Sequence, residues 1–374
     1  MNDIKRKCIT ALAVLFSVLV TSVLLAVISL YGGVPRIKAA YSPNLAVVER
    51  FYMNTSNVVS DGAASAANVE KKYWINANAT AAPKPNKNSY GETYDPAEVL
   101  EKARNAESLL DGQSLYFSPE VTLMKDSTVR YYLDETILVI TWQEPIDNTV
   151  YTFSEVKIAD PSQFRRYLSG GAYGSGKLAI PTEMANSVNA VVASSGDYYQ
   201  FRNAGVIVYN GEICRVSGGA DTCFVDLNGD LHFTRTSENM TKEEAQAYVE
   251  ENQIQFSLAF GPILVENGQK NNFGGYGLGE VSGNFARAAI CQMDTLHYLL
   301  VNANAGDGQN GYPTMYQFAE RIYQTGCHIA YALDGGQTAT MVMDGELINQ
   351  MTRNYQRKIS DIIYFGTALP NSQG

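Results

Sequence analysis

The run His328-Ile-Ala-Tyr-Ala-Leu333 is apolar and ends abruptly in Asp334-Gly335-Gly336, after which a second apolar run, Ala339-Thr-Met-Val-Met343, begins. The pattern predicts strand, tight turn, strand, with a carboxylate at the turn. Glycines there permit positive φ and let a ligand approach the backbone closely. A carboxylate so placed is a candidate for proton transfer or charge stabilisation. A cationic candidate stands in Asn284-Phe-Ala-Arg-Ala-Ala-Ile-Cys291, where Arg287 opens an apolar strand. A guanidinium there needs an acid or an anion; its planar fork suits phosphate or carboxylate, and a structural Asp or Glu would serve equally.

Other motifs carry less. Asp226-Leu-Asn-Gly-Asp230 has the acids of a calcium loop, but glycine falls at the fourth position rather than the sixth, so a hairpin turn is expected. Gly274-Gly-Tyr-Gly-Leu-Gly279 lacks the strand-then-helix frame of a nucleotide fingerprint and reads as a loop. His232, His297 and His328 are isolated, no Gly-x-Ser-x-Gly elbow occurs, and no Cys/His cluster has zinc spacing. Cys214 and Cys223 flank a Gly-rich turn and could bridge two strands; Cys291 and Cys327 lie in apolar segments that could be neighbours. Buried thiols explain all four as well.

The elements that must position these groups are mostly short strands. Arg130-Tyr-Tyr-Leu133, Thr136 to Trp142 and Val150 to Ile158 are strand candidates. Asn210-Gly211, Asn228-Gly229, Asn267-Gly268 and Asp344-Gly345 predict hairpin turns. Helices are expected over Pro96 to Leu110 with Asp95 as N-cap, over Asp160 to Leu168, over Pro181 to Val188, from Thr241 to Glu251 with a capping box, and from Pro313 to Gln324 ending near Gly326. The reading is α+β: a single mixed β-rich domain with a few helices over 118–370. Residues 41–117, rich in Asn, Ser, Ala and Pro before that first helix, read as a stalk or linker.

Cys8 to Tyr31 carries no charge over 24 residues and follows Lys5-Arg6-Lys7. As a helix of about 36 Å it would cross a bilayer, with the N-terminus cytoplasmic. Residues 1–40 are therefore expected to be a cytoplasmic tip and transmembrane signal-anchor, tethering the C-terminal domain outside the cytoplasm as a single-pass membrane protein; a cleaved signal peptide is the competing reading, disfavoured by the length of the apolar run, and it too places the domain outside the cytoplasm. The formal charge is −10, and because the N-terminal segment is basic, the remainder of the chain is more acidic still. Nucleic acid is excluded as a partner, since phosphate neutralisation needs clustered Lys and Arg.

Six short motifs occur in an order that resembles the phosphodiester glycosidase domain family: Ala193-Ser-Ser-Gly-Asp-Tyr-Tyr199, Gly205-Val-Ile-Val-Tyr-Asn-Gly211, Phe260-Gly-Pro-Ile-Leu-Val-Glu-Asn-Gly268, Ala286-Arg-Ala-Ala-Ile290, Tyr331-Ala-Leu-Asp-Gly-Gly-Gln-Thr338 and Arg357-Lys-Ile-Ser-Asp361. The family includes the animal lysosomal uncovering enzyme and bacterial exopolysaccharide-related proteins. The chain departs from the family pattern where Ser195 stands for Asn, Cys291 for Gly, Gln337 for the third Gly and Thr338 for Ser.

The resemblance implies a hydrolase that cleaves a sugar-1-phosphodiester, with a phosphorylated sugar or polysaccharide as partner and no cofactor or metal ligand assigned. It makes Asp334, Arg287 and Asp197 the expected catalytic residues: a carboxylate near the anomeric carbon or its attacking water, a phosphate grip, and a second acid/base group. Gly335, Gly336, Thr338, Ser195, Arg357 and His297 are the expected substrate-binding residues. The alternative is an envelope module that binds phosphorylated polysaccharide without hydrolysis.

Overall fold

A computed structural model describes residues 74–277, 281–305, 311–353 and 355–370. In chain order the strands are β1 (Tyr90–Thr93), β2 (Val129–Leu133), β3 (Ile137–Ile146), β4 (Thr149–Ile158), β5 (Phe164–Leu168), β6 (Val192–Ser195), β7 (Ile207–Tyr209), β8 (Glu212–Arg215), β9 (Thr222–Asp226), β10 (Leu231–Thr234), β11 (Ile254–Leu258), β12 (Ile263–Glu266), β13 (Gln269–Lys270), β14 (Arg287–Asp294), β15 (His297–Ala305), β16 (Ile329–Leu333), β17 (Met341–Met343), β18 (Glu346–Leu347) and β19 (Asp361–Phe365). The helices are α1 (Pro96–Arg104), α2 (Glu107–Leu110), α3 (Pro181–Ser187), α4 (Lys242–Glu251) and α5 (Met315–Tyr323). The α+β expectation holds.

Three antiparallel sheets form. The largest runs β1-β2-β3-β4-β15-β14-β16-β12-β13; the others run β10-β9-β11-β7-β8 and β18-β17-β6-β19-β5. Period-2 alternation decides what each face of the large sheet meets. Ala289, Cys291, Val301 and Ala332 face a core closed by α1 and α5, while Ala288, Ile290, Leu300 and Leu333 face a second core shared with both smaller sheets. The large sheet is thus covered on both sides, which explains why β4 and β15 are buried along their length.

Local signals act as expected in several places. Asn210-Gly211, Asn267-Gly268 and Asp344-Gly345 take positive φ at both residues, the geometry that matches strand twist in two-residue hairpins. Asp95, Thr241 and Thr314 cap α1, α4 and α5. The expected helix over 160–168 is a correction. Asp160 and Gln163 do form a capping box, but it closes only one 3-10 turn over Pro161–Gln163. The following Phe-Arg-Arg-Tyr-Leu alternates buried and half-buried and pairs with β19 as strand β5. Alternation and sheet pairing override the cap.

The stalk reading of 41–117 also fails for the residues that are described. Residues 74–117 pack into the domain: β1 pairs with β2, Val99, Ala103 and Phe117 join the helix-side core, and Ile75 and Ala82 enter another behind β19. Composition misled because the few apolar residues there are spaced among polar ones. Residues 41–73 and the expected span at 8–31 lie outside the described residues. Among the described residues no helix is long and apolar enough to cross a membrane.

The cysteines Cys214, Cys223, Cys291 and Cys327 are free thiols. Cys214 lies on β8 and Cys223 on β9, with β7 and β11 between them, so the bridge considered from sequence is geometrically excluded.

Phe117 is buried with its ring 5.0 Å from Trp142. Phe117→Ala is expected to cost about 3–5 kcal/mol in chemical denaturation. A loss below about 1 kcal/mol would return this segment to the role of a linker.

Candidate active site

The Asp-Gly-Gly turn joins two sheets rather than two strands of one hairpin. β16 belongs to the nine-stranded sheet and β17 to a five-stranded one, with a 3-10 turn over Gly336–Thr338 between them. Asp334 is pinned at this corner. Its N–H donates to Gly196 O at 3.0 Å, and its carbonyl accepts from Ser195 Oγ at 3.2 Å. Gly336 N donates to Ala286 O at 2.7 Å. Both glycines are demanded by the backbone: a Cβ on Gly335 would lie 2.5 Å from Ala286 O, and Gly336 has φ +63°.

The Asp334 side chain is buried, and its Oδ2 has no hydrogen-bond partner among the described residues. Burial lifts its pKa from 3.8 to about 7; a bond from Thr338 and the charges of Arg202 and Arg357 pull downward, and Asp197 pushes up. A carboxyl group that titrates near neutrality is suited to proton transfer.

Sequence reasoning missed Arg202. Its guanidinium lies between two rings, 5.3 Å from the centroid of Tyr198 and 5.0 Å from that of Phe260, and its buried Nη1 has no hydrogen-bond partner among the described residues. The signal was present: Tyr198-Tyr-Gln-Phe-Arg202 sets an arginine among three aromatics, which favours stacking. Its loop is clamped from below. Arg215 donates to the carbonyls of Tyr199, Arg202 and Ala204 at 2.8, 2.7 and 2.6 Å. Arg357 approaches from the other side, exposed, with Nη2 3.5 Å from Tyr198 Oη.

Asp197 has a different position from the one expected. It is buried with both oxygens engaged: Oδ1 accepts from Tyr199 N at 2.8 Å and lies 2.9 Å from Arg166 Nη2, and Oδ2 accepts from Ala259 N at 2.8 Å. Arg166 also donates Nε to Asp361 Oδ2 at 2.8 Å. Burial lifts Asp361 to about 7 against the pull of Arg166. Burial works against the charge on Arg166, but the two carboxylates more than offset it and its pKa is raised. One cation between two carboxylates fits a positioning role for Asp197 rather than acid/base work.

Arg287 is also committed. It donates to Pro313 O at 3.4 Å and to Gly283 O at 2.5 Å, and faces the Phe285 ring at 5.5 Å. Its guanidinium ties loops to the start of β14, while its backbone adjoins Gly335. His297 is at the opposite end of β14–β15, opposite Asp294, whereas Arg287 faces Ala303. It bonds Glu155 at 2.7 Å, and Glu155 in turn accepts the N–H groups of Tyr116 and Phe117. The structure therefore gathers Asp334, Gly335, Gly336, Thr338, Ser195 and Arg357 with Arg202, and leaves His297 elsewhere.

Gln337, where the family pattern has glycine, reaches the loop that carries Arg357. With its amide oxygen facing the guanidinium, it accepts from Arg353 Nε and Nη2 at 2.8 and 2.9 Å. Thr352 Oγ1 adds a bond to Gly336 O at 3.3 Å. Among the described residues no three His, Cys, Asp or Glu side chains converge as metal ligands. The Asp226–Asp230 segment is a hairpin turn in which Asp226 accepts from Asn228 N and Asp230 N.

A carboxyl group lifted to about 7, under the charges of two arginines and at a glycine corner between sheets, can exchange a proton with a group that the arginines attract. Residues 188–366, which contain all of that site, match the family model described as phosphodiester glycosidase, the family that the ordered motifs resemble. Among curated proteins none matches the chain. The catalytic domain of zebrafish N-acetylglucosamine-1-phosphodiester alpha-N-acetylglucosaminidase is similar at 16% identity, over 70% of this chain and 93% of that one, with a TM-score of 0.48. A hypothetical protein from Synechocystis is similar at 14% identity with a TM-score of 0.46; the alignment covers 64% of each chain, so less than two thirds of that protein's length.

Two outcomes are expected from this geometry. The folded pKa of Asp334 is raised, so the stability it contributes is full below 3.8 and lost as pH rises through about 7. Asp334→Asn is expected to be the more stable protein at pH 8, by up to a few kcal/mol at ~1.4 kcal/mol per unit, with the difference gone at low pH. Equal denaturation midpoints at both pH values would contradict it. Gln337→Gly is expected to speed amide exchange across 350–357 by about 10–100-fold, the loss of a hydrogen bond to a charged group. Unchanged protection there would remove the Gln337–Arg353 contact from the loop's stability.

Proposed function

We propose that this chain is a membrane-anchored, extracytoplasmic phosphodiester glycosidase that hydrolyses a sugar-1-phosphodiester of the cell envelope or an exopolysaccharide. The observation that carries this reading is that Asp334 Oδ2 and Arg202 Nη1 are both buried atoms without hydrogen-bond partners among the described residues, on side chains that interact electrostatically. Unpaired buried polar groups are costly and mark places where a ligand completes the bonding.

In this reading the phosphodiester sits against Arg202 and Arg357, whose charges face Asp334. Arg202 and Arg357 take the grip expected of Arg287, because the guanidinium of Arg287 is held by loop carbonyls. Phosphate leaves readily as an anion, so the demand on the protein is to stabilise the departing charge and an oxocarbenium-like sugar. Asp334 donates its proton to the departing phosphate oxygen as the anomeric C–O bond breaks and accepts one from the water that attacks the sugar. Thr338 Oγ1 donates to Gly335 O at 2.5 Å and, lying next to the Asp334 carboxyl group, favours its charged form. Asp197 and Ser195 hold the backbone beneath it. No metal or cofactor is assigned.

The non-catalytic alternative draws on Gln337, whose side chain occupies a position kept as glycine in the family pattern and is tied to Arg353. A panel of glycosyl-1-phosphodiesters incubated with the full chain separates the two, with free sugar read by NMR. Wild type is expected to release sugar. Asp334→Asn and Arg202→Ala are each expected to lower kcat/KM by about 100-fold or more. Turnover by Asp334→Asn equal to wild type would remove Asp334 from the chemistry. Binding without any release by wild type would establish the module reading.

A further inference from the structure

Six large hydrophobic side chains stand exposed among the described residues, and three of them, Phe201, Phe285 and Tyr355, belong to segments that contact the Asp334-Gly335-Gly336 turn or the residues next to it. Each comes from a different segment and each is linked to an arginine. Phe201 stacks on Tyr198 at 4.5 Å and 22°, and Tyr198 lies under both Arg202 and Arg357. Phe285 faces Arg287, and it adjoins Ala286, whose carbonyl accepts Gly336 N. Tyr355 Oη accepts from Arg353 Nη1 at 2.8 Å, and Arg353 is the residue held by Gln337. Of the other three, Tyr94 lies beside β1 and Tyr316 and Tyr323 on α5.

Exposed aromatic rings grouped at a polar site mark a binding surface rather than random surface apolarity. The pairing with arginine narrows the ligand. An aromatic face receives the C–H face of a sugar ring, and a guanidinium beside it receives hydroxyl or phosphate oxygens. The chain as a whole is acidic at −10, yet Arg202 and Arg357 act on Asp334 and Arg353 is held by Gln337 beside it. That charge pattern favours an anionic glycan over a neutral one. Three platforms around one reactive carboxyl group are more than a single sugar can cover.

We infer that Phe201, Phe285 and Tyr355 form stacking subsites for a phosphorylated glycan of several sugar units, so that the ligand is a polymer rather than a single glycosyl phosphodiester. This rests on the site reading given above, but binding tests it separately from hydrolysis. Defined glycosyl-1-phosphodiesters of one, three and five sugars, in glucose and N-acetylglucosamine series, are titrated calorimetrically into the full chain carrying Asp334→Asn. The five-sugar probe is expected to bind about tenfold or more tightly than the one-sugar probe in one series. Phe201→Leu and Tyr355→Ala are expected to erase most of that length advantage, while Phe201→Tyr, which keeps the aromatic face, retains it. Affinity independent of length in both series would overturn the inference. So would Phe201→Leu and Tyr355→Ala variants that keep the full length advantage. Absence of hydrolysis by wild type with this length dependence intact would remove the catalytic reading and leave the subsites standing.

Discussion

The buried Arg166 guanidinium is the constraint on which the site geometry depends. Its partners come from distant parts of the chain: Asp361 opens β19, and Asp197 follows β6. All three side chains are fully shielded from water, so removing one partner would strand charge inside the protein. The packing admits no slack. A Cβ on Gly196 would fall 2.0 Å from Asp361 Oδ2, so the residue before Asp197 must be glycine. With Arg166 in place, Asp197 is held so that its oxygens receive Tyr199 N and Ala259 N. That fixes the start of the loop carrying Tyr198, Phe201 and Arg202, and Arg215 fixes its end. A cluster that does no chemistry itself thus sets where the chemistry takes place.

Asp334 inherits its properties from topology. The chain leaves the nine-stranded sheet at Leu333 and enters another sheet at Met341. A carboxylate at such a corner is enclosed by two sheets, yet it lies beyond the last ladder partner of its own strand. Burial raises its pKa, and one carboxylate oxygen has no hydrogen-bond partner among the described residues. In a hairpin within one sheet the same residue would be solvated, with neither property. The glycines serve the crossing as much as the ligand: Gly335 slides over Ala286 O, and Gly336 makes the left-handed step toward the 3-10 turn.

What the sequence disclosed depends on the range of the interactions involved. Caps and paired turns act within four residues, so Asp95, Thr241 and the Asn-Gly hairpins were legible. The Asp334 turn was legible because a carboxylate and two glycines interrupt an apolar run. Arg166 and Asp361 were not, because their roles depend on strands β5 and β19 lying side by side, 195 residues apart in sequence. The only local hint was an acid heading the apolar run Ile362-Ile-Tyr-Phe365. Asp160 as an N-cap followed by Pro161 pointed to a helix where alternation gave a strand, which hid Arg166 further. Arg287 and His297 were legible as buried polar groups but not in their partners: loop carbonyls for one and Glu155 for the other.

The balance at Asp334 has a consequence for the proposed chemistry. Its pKa near 7 reflects burial opposed by Thr338, Arg202 and Arg357. A phosphodiester bound at those arginines brings a negative charge that offsets theirs, and a nearby anion disfavours a second one. Substrate binding therefore drives Asp334 toward its protonated form, able to donate toward the departing phosphate. Once phosphate leaves, the arginines again face the carboxyl group and restore its capacity to accept a proton from water. In that cycle the arginines grip the anion and also set the charge state of the group beside it. A lysine in place of Arg202 would keep the charge but lose the planar surface that Tyr198 and Phe260 hold between them. The stack, rather than charge alone, fixes where the guanidinium stands relative to the loop that carries it.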